Sequence, residues 1–353
     1  MTRNMALWLR DLRSAGQKKA LPILSFPSVQ LLGCDVRELI GSSERQAQGM
    51  KRIADRCQTV AAVSMMDLSV EAEAFGAAVR FTPDEVPTVT DRLVDTAEEA
   101  EALAVPAVGA GRTGRYVEAI GKAAGLITDR PVLSGVIGPF SLAGRLMDMT
   151  EIMIKCYEEP ETVHAVLEKA AEFITEYIQA FRSAGASGVI LAEPAAGLLS
   201  PKLNEEFSTQ YVKRIFNAVK NENFVAVYHN CGNTVPLLGS LLTNGADAYH
   251  FGNAVDMAKI LELLPGDVVA MGNIDPAGQF RNGTPQSVYQ ATASLLARCG
   301  KYPNWVVSSG CDIPPMAAWE NIDAFFAAVR DYNGNHSENQ SPSSLPNRSS
   351  SAR

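Results

Sequence analysis

The sequence predicts a single (β/α)₈ barrel, an α/β fold in which eight parallel strands alternate with helices. Three observations lead to this prediction. The chain has 353 residues, 46% of them hydrophobic, and a barrel routinely exceeds 200 residues as one domain. Eight short apolar runs recur along the chain, with amphipathic stretches between them. Each run is nearly continuous, as expected for parallel strands that are covered on both faces.

The apolar runs have the length of strands. They are Leu21–Phe26, Thr59–Met66, Pro131–Ile137, Gly188–Ala192, Phe224–Tyr228, Ala246–Phe251, Asp267–Met271 and Trp305–Ser308. The clearest helical stretches are Pro160–Ala184, Asn204–Asn221, Thr284–Cys299 and Ala317–Arg330. An open doubly wound sheet has the same local pattern and remains the alternative, but eight runs in a chain of this length favour the barrel.

Two segments do not fit a simple repeat. Residues 68–130 separate the second and third strands by more than a loop and one helix require, so we expect an excursion there. It is either a hairpin or helix pair over the barrel mouth, or a helix with a long surface loop. Residues 333–353 contain seven Ser and four Asn, too few apolar groups to offset the ordering entropy. The prediction is one domain over residues 1–332 and a disordered tail over 333–353.

Composition excludes several classes of protein. The net charge of −8 argues against nucleic-acid binding, which needs a basic surface. No stretch approaches the ~20 apolar residues of a membrane span, and the first twenty residues have no apolar signal core. Six cysteines are too sparse for a disulfide scaffold. We therefore expect a cytoplasmic enzyme that acts on small molecules or protein partners.

Polar and thiol side chains gather at the predicted carboxyl ends of the strands, where barrels have their active sites. In chain order they are Asp67, Glu193, His229, Cys231, Asn253, Asn273, Asp275 and Cys311. Asp67 and Glu193 are candidate catalytic groups, with a structural hydrogen bond or ion pair as the alternative. The Asn and Asp residues after the sixth and seventh strands are candidate substrate contacts. Asn273 and Asp275 have local turn bonds as the alternative.

His229, Cys231 and Cys311 have the chemistry of a metal site. On an extended segment, residues two apart point to the same face, so His229 and Cys231 can present their side chains together. Short loops can bring Cys311 within reach. Two thiolates and one imidazole suit zinc, and three protein ligands leave a position open for substrate. The alternative is three ordinary core residues, because free cysteine is often buried.

The His-x-Cys pair and the distant cysteine in its Gly-Cys-x-Ile-Pro context resemble the zinc-dependent branch of the uroporphyrinogen decarboxylase superfamily, the methylcobalamin:coenzyme M methyltransferases and related corrinoid-protein methyltransferases. The segments 67–76, 138–141 and 272–276 add to the resemblance, which covers about residues 20–330. It implies a methyltransferase of one-carbon metabolism with zinc on His229, Cys231 and Cys311. The methyl donor would be a methylated corrinoid (methylcobalamin) on a separate protein, because the chain lacks the Asp-x-His-x-x-Gly motif of a corrinoid carrier. The acceptor would be a thiol such as coenzyme M, or tetrahydrofolate.

The chain departs from the family patterns at two points. Uroporphyrinogen decarboxylases carry arginines for the substrate propionates near the first strand, whereas Phe26–Leu31 contains none. The methyltransferases can add an acidic fourth zinc ligand, for which Glu193, Asn253 and Asp256 are all candidates. Two alternatives stay open: a metal-independent decarboxylase with Asp67 stabilising a protonated intermediate, and a non-catalytic partner of a corrinoid protein.

Two further patterns are weaker. Gly109–Gly114 matches the dinucleotide-binding G-x-G-x-x-G, but a predicted helix precedes it instead of a strand, so we interpret it as a turn. We expect His250 to lie in the core or to support a metal ligand rather than to ligate.

Overall fold

A computed structural model describes residues 3–338 of the chain. Its strands are β1 Ala62–Val63, β2 Val79–Arg80, β3 Thr88–Val89, β4 Val132–Ile137, β5 Gly188–Ala192, β6 Val225–Asn230, β7 Ala248–Phe251, β8 Val269–Ile274 and β9 Trp305–Ser309. Seven of them form one parallel sheet in the order β1-β4-β5-β6-β7-β8-β9, and β2 pairs with β3 in a small antiparallel hairpin. The curled parallel sheet confirms the predicted α/β barrel.

Helices surround the sheet. They are α1 Met5–Ser14, α2 Ser28–Leu32, α3 Val36–Ile40, α4 Ser43–Arg56, α5 Val70–Ala74, α6 Ala97–Ala102, α7 Thr113–Leu126, α8 Pro139–Met147, α9 Met149–Glu158, α10 Pro160–Ala184, α11 Pro201–Asn204, α12 Gln210–Val219, α13 Leu238–Leu241, α14 Met257–Leu263, α15 Pro285–Cys299 and α16 Trp319–Glu338. Neighbouring helices pack in pairs, such as α4 with α7 and α15 with α16. Within residues 3–338, no helix combines the length and the apolar character needed to cross a bilayer.

Residues 20–24, which we call the seam, close the barrel between β9 and β1. The Leu21 amide donates to the Val307 carbonyl at 3.0 Å, and the Val60 amide donates to the Ala20 carbonyl at 3.0 Å. The seam lies in the first predicted strand, but it forms no regular strand. Pro22 has no N–H group to donate to a ladder, so the pairing is interrupted there.

Two hydroxyls of β9 replace the missing backbone bonds at the seam. Ser308 Oγ donates to the Leu21 carbonyl at 2.6 Å. Ser309 Oγ accepts from the Ile23 amide at 3.0 Å. Both serines are fully buried, so these bonds are shielded from water.

Alternation along the strands separates an inner core from an outer one. On β6, Val225 and Val227 belong to the inner core, while Ala226 and Tyr228 pack outward under the helices. Helix α1 adds two of its buried side chains to the inner core, and its first amide donates to the Glu222 carbonyl at 2.7 Å, just before β6. This helix therefore covers the amino-terminal end of the barrel and leaves the carboxyl end as the mouth.

The predicted excursion between the second and third barrel strands is present. Residues 68–130 contain α5, the β2–β3 hairpin, α6 and α7. The hairpin loop, residues 84–88, lines a cavity at the barrel mouth. The glycine-rich segment 109–114 is a turn with a positive φ of 114° at Gly109, and it leads into α7. Its interpretation as a turn is therefore correct.

Helix α16 continues to Glu338, six residues beyond the predicted end of the domain. Asn333, the first residue of the predicted tail, accepts from the Lys18 amide at 2.8 Å and donates to the Lys18 carbonyl at 3.0 Å. These bonds attach the helix end to the segment before the seam. Residues 339–353 lie outside the described residues, and the tail remains a prediction there.

Candidate metal centre

Strands β6 and β9 bring the three predicted metal ligands together. His229 is on β6, Cys231 follows the strand, and Cys311 lies two residues after β9. Cys311 Sγ is 3.5 Å from His229 Nε2, and the three potential ligand atoms all lie within 4.8 Å of one another. Tetrahedral zinc bonds of ordinary length place sulfur and nitrogen ligands roughly 3.5 Å apart and two sulfurs roughly 3.8 Å apart. The cluster therefore fits a zinc ion.

Two glycines let the backbone segments of the cluster approach each other. A Cβ atom at Gly252 would lie 2.7 Å from Cβ of Cys231, and one at Gly310 would lie 2.7 Å from the Asn253 amide nitrogen. Contacts this short admit no side chain, so glycine is required at both positions. Asn253 is exposed and lies beside Gly310, the residue that precedes Cys311.

A chain of hydrogen bonds fixes the orientation of His229. Ser308 Oγ donates to the Leu21 carbonyl and therefore accepts from His250 Nε2 at 2.8 Å. His250 Nδ1 is then an acceptor, and His229 Nδ1 donates to it at 2.8 Å. This assignment leaves the lone pair of His229 Nε2 directed at Cys311. His250 thus orients His229, the predicted ligand, and we call these bonds the histidine chain.

The two thiols of the cluster differ in acidity. A hydrogen bond from Cys311 lowers the pKa of Cys231 to about 4. The hydrogen bond to Cys231 and burial raise the pKa of Cys311 well above its ordinary value. One thiolate of the pair therefore forms readily, and the thiolate is the form of cysteine that binds a cation.

Glu193, a predicted catalytic group, is fully buried with its carboxylate oxygens bonded. It accepts from the amides of Phe140 at 2.7 Å and Ser141 at 3.1 Å, and from Ser208 Oγ at 3.1 Å. These amides belong to the first turn of α8, where a carboxylate is stabilised. Burial nonetheless raises the pKa of Glu193 to about 7. The geometry gives Glu193 the role of positioning α8.

Asp67, the other predicted catalytic group, forms a buried ion pair with Arg112. Its carboxylate also accepts from Tyr116 Oη at 2.9 Å and from Ser69 Oγ at 2.6 Å. Arg112 in turn contacts Glu73 Oε2 through Nε at 2.5 Å. The structural alternative considered for Asp67 is therefore the arrangement that the structure contains.

Asp275 makes the local turn bonds considered as its alternative, whereas Asn273 bonds a loop about 20 residues earlier in the chain. Asn273 Nδ2 donates to the Gly252 carbonyl at 2.9 Å and to the Val255 carbonyl at 2.8 Å. Asp275 Oδ1 accepts from the amides of residues 277 and 278 at 3.0 and 2.9 Å. Asn273 thus holds the loop that carries Gly252 against Cys231.

Asp256, a candidate fourth ligand, is directed elsewhere. Its carboxylate caps α14 through the Ala258 amide at 3.0 Å and pairs with Arg298 at 2.5 Å on the surface. Glu193 is also occupied, so Asn253 is the one of the three candidates that remains beside the cluster.

A cavity of about 560 Å³ opens at the barrel mouth beside the cluster. Its lining includes Asp312, which follows Cys311, together with Arg145 of α8 and Arg281. These residues were not among the candidates predicted from the sequence. One signal was present, because Arg145 is the one charged residue of helix α8.

Known proteins of two kinds resemble this chain. A methylcobamide:CoM methyltransferase (MtbA) of Methanosarcina acetivorans is 26% identical over 298 residues, 81% of this chain and 85% of that protein. A uroporphyrinogen decarboxylase of Paraburkholderia phytofirmans is 28% identical over 291 residues, 76% of each chain.

Solved structures share the fold. A methyltransferase from Methanosarcina mazei superposes with a TM-score of 0.83 and 23% identity, covering 92% of this chain and 97% of that one. A B12-independent methionine synthase from Shewanella sp. W3-18-1 superposes with a TM-score of 0.59 and 14% identity over the same shares.

The sequence profile of the uroporphyrinogen decarboxylase (URO-D) family matches residues 27–332. This range begins three residues after the seam, ends in α16 and contains every residue of the candidate metal centre. The chain therefore belongs to the uroporphyrinogen decarboxylase (URO-D) family.

Proposed function

We propose that the protein is a zinc-dependent methyltransferase, which moves a methyl group from a methylated corrinoid protein to a small thiol such as coenzyme M. One observation carries the proposal: His229, Cys231 and Cys311 form a three-ligand cluster beside a cavity at the barrel mouth. Three protein ligands with space for a substrate are typical of catalytic zinc sites. The similarity to the methylcobamide:CoM methyltransferase supports the same reaction.

The residues of the cluster have distinct tasks in this reaction. Zinc would lower the pKa of the acceptor thiol, so that its sulfur is a thiolate near neutral pH. Cys231 and Cys311 contribute two negative charges, which keep that sulfur electron-rich. His229 is held in place by the histidine chain.

The transfer itself exchanges one bond for another. The acceptor sulfur bonds to the methyl carbon, the carbon–cobalt bond of the corrinoid breaks, and its electron pair stays on cobalt. The thiol proton goes to solvent. Tetrahydrofolate is the alternative acceptor, and its amine would need the same activation. The proposal places the reaction in the cytoplasm, where thiols stay reduced.

A decarboxylase is the second candidate, because uroporphyrinogen decarboxylases are also similar to this chain. Two observations disfavour it. The segment expected to carry propionate-binding arginines forms α2, where Gln30 Nε2 donates to the carbonyls of Pro315 at 2.9 Å and Ala317 at 2.8 Å. Asp67, the catalytic group of this alternative, is engaged by Arg112. A non-catalytic partner of a corrinoid protein would have no need for an open metal cluster.

The test combines metal analysis with methyl transfer from methylcobalamin to 2-mercaptoethanesulfonate. The purified protein should contain near-stoichiometric zinc. Cys231→Ala and Cys311→Ala should lose the zinc and several orders of magnitude in activity, because a free thiol is mostly protonated near neutral pH. Their folds should persist, since barrel stability comes from the strand interior and the opposite end.

Four matched controls replace the cysteines outside the cluster, namely Cys34, Cys57, Cys156 and Cys299. Their alanine variants should keep the zinc, with some loss of stability through cavities. A Cys231→Ala protein with full zinc and full activity would show the assignment to be wrong. Porphyrinogen decarboxylation by zinc-free protein would favour the second candidate.

A further inference from the structure

The cavity at the barrel mouth has an arginine that the proposed reaction has not used. Arg145 lies on α8, half-buried, and lines the cavity together with Arg281, Asp312 and the hairpin loop 84–88. Asp312, the residue after Cys311, and Arg145 thus line the same cavity. We infer that Arg145 binds an anionic group on the methyl acceptor, an inference that builds on the proposed function.

Arg145 has no protein partner. Among residues 3–338, no carboxylate lies within ion-pair distance of its guanidinium and no acceptor lies within hydrogen-bond distance. Arg112, also in this part of the fold, contacts Asp67, Ser69 and Glu73. The guanidinium is half-buried, so water solvates its charge only in part. A ligand with anionic oxygens would supply acceptors for its N–H groups.

Two carboxyls act electrostatically on Arg145, and neither fully compensates its charge. Its electrostatic neighbours are Glu71 and Asp67. Asp67 is already neutralised by Arg112. Burial raises the pKa of Glu71 to about 7, so this carboxyl is only partly charged near neutral pH. Arg281 adds a second positive charge to the cavity wall.

Two acidic residues line the outer part of the cavity. Asp84 and Glu85 are exposed on the hairpin loop, and neither pairs with an arginine. Water screens exposed charges strongly, whereas the half-buried guanidinium is screened less. The acidic loop therefore weakens the positive potential at the cavity entrance more than it weakens the potential beside Arg145.

The chemistry of the site defines the class of ligand. A guanidinium binds a sulfonate or carboxylate through two parallel hydrogen bonds, which adds geometric selectivity to the charge. A cavity of about 560 Å³ is ample for a small thiol with such a group at its other end. The amino-terminal turn of α8 is fixed by Glu193, so the helix presents Arg145 from a rigid element.

The first experiment separates the anion site from catalysis. Ethanesulfonate has the anionic group without a thiol, and ethyl methyl sulfone has a similar shape without the charge. Binding of both is measured by calorimetry and ligand-observed NMR on the zinc-loaded full chain. We expect the wild type to bind ethanesulfonate more tightly than the sulfone. Arg145→Gln should weaken the binding of ethanesulfonate at least tenfold and leave the binding of the sulfone unchanged. The ethanesulfonate affinity of Arg145→Lys should lie between those of the wild type and Arg145→Gln, because lysine keeps the charge and loses the paired hydrogen bonds.

Arg10→Gln is the matched control. Arg10 is exposed on α1, at the opposite end of the barrel, and its replacement changes the net charge equally. It should bind ethanesulfonate as the wild type does. The inference is wrong if the wild type does not distinguish the two probes, or if Arg10→Gln and Arg145→Gln lose the anion to the same extent.

The second experiment compares 2-mercaptoethanesulfonate with 2-mercaptoethanol as methyl acceptors. Arg145→Gln should lower kcat/KM about 10- to 100-fold for the anionic thiol, mainly through KM, and leave the neutral thiol nearly unchanged. If Arg145→Gln lowers kcat/KM equally for both thiols, the anion site is wrong, and the proposed methyl transfer is unaffected. Arg145-dependent ethanesulfonate binding without methyl transfer to any thiol would reject the proposed function and keep the anion site.

Discussion

Ser308→Ala tests whether the histidine chain prepares His229 for a metal. The substitution removes one fully buried hydroxyl that does not touch the cluster. It leaves His250 Nε2 without its acceptor at 2.8 Å and the Leu21 carbonyl without its donor at 2.6 Å. His250 can then carry its proton on Nδ1. In that tautomer it no longer accepts from His229 Nδ1. Only the His250 carbonyl, 3.2 Å from His229 Nδ1, then still favours the free Nε2 lone pair that a metal needs.

The expected magnitudes follow from these two lost bonds. Groups that orient a metal ligand typically contribute 10- to 100-fold in affinity, about 1.4–2.8 kcal/mol of binding free energy. The zinc dissociation constant of Ser308→Ala should rise by this factor. Two buried groups without partners should also lower the free energy of unfolding of the metal-free protein by about 1–3 kcal/mol.

Competition with a chromophoric chelator measures the zinc affinity, and urea unfolding of the metal-free protein measures the stability. Ser309→Ala is the matched control, because Ser309 is equally buried and bonds the Ile23 amide at 3.0 Å. It should lose stability and keep its zinc affinity. If both variants bind zinc equally tightly, the histidine chain does not determine the ligand.

Two further substitutions test other parts of the fold. Gly252→Ala removes no candidate ligand, but its added Cβ would overlap Cys231, so we expect the bound zinc to fall at least tenfold. Metal analysis of the folded variant measures the bound zinc. Full zinc occupancy would contradict the prediction. Glu71→Gln concerns pH. Because burial raises the pKa of Glu71 from an ordinary 4.5 to about 7, the folded state loses stability as the pH rises from 4.5 to 7. Relative to Glu71→Gln, the wild type should lose about 3 kcal/mol of its free energy of unfolding across this range. Urea unfolding of both proteins at pH 4.5, 6 and 8 measures this loss. The prediction is refuted if the difference in unfolding free energy between the two proteins does not change with pH.

Local periodicity and the fold class were sufficient to predict that His229, Cys231 and Cys311 lie together. His229 and Cys231 are two apart at a strand end, and the barrel rule places Cys311 at the same rim. The turn bonds of Asp275 were also available from sequence, because Asp side chains bond to backbone amides two and three residues later. In each case the relevant contact depends on local spacing or on a regular fold.

Contacts between distant segments could not be predicted in this way. Asp67 is engaged by Arg112 from a turn 45 residues later, and no local pattern connects them. The seam departs from a regular strand because Pro22 interrupts its pairing. This proline is a local signal, but it lies within an apolar run that otherwise predicts a strand. Arg145 becomes informative only when the structure shows that its guanidinium lacks a partner, a property of packing rather than of sequence.

The seam connects barrel closure to metal binding. The hydroxyl of Ser308 bonds the Leu21 carbonyl on one side and His250 on the other, and His250 bonds His229. A fluctuation that separates Leu21 from β9 therefore also releases the imidazole of the metal ligand. Thermodynamic linkage would make this dependence reciprocal: an ion on His229 would oppose opening of the barrel, and a loosened barrel would release the ion. Metal binding would thus stabilise the contact between the seam and β9, although no candidate ligand lies in the seam.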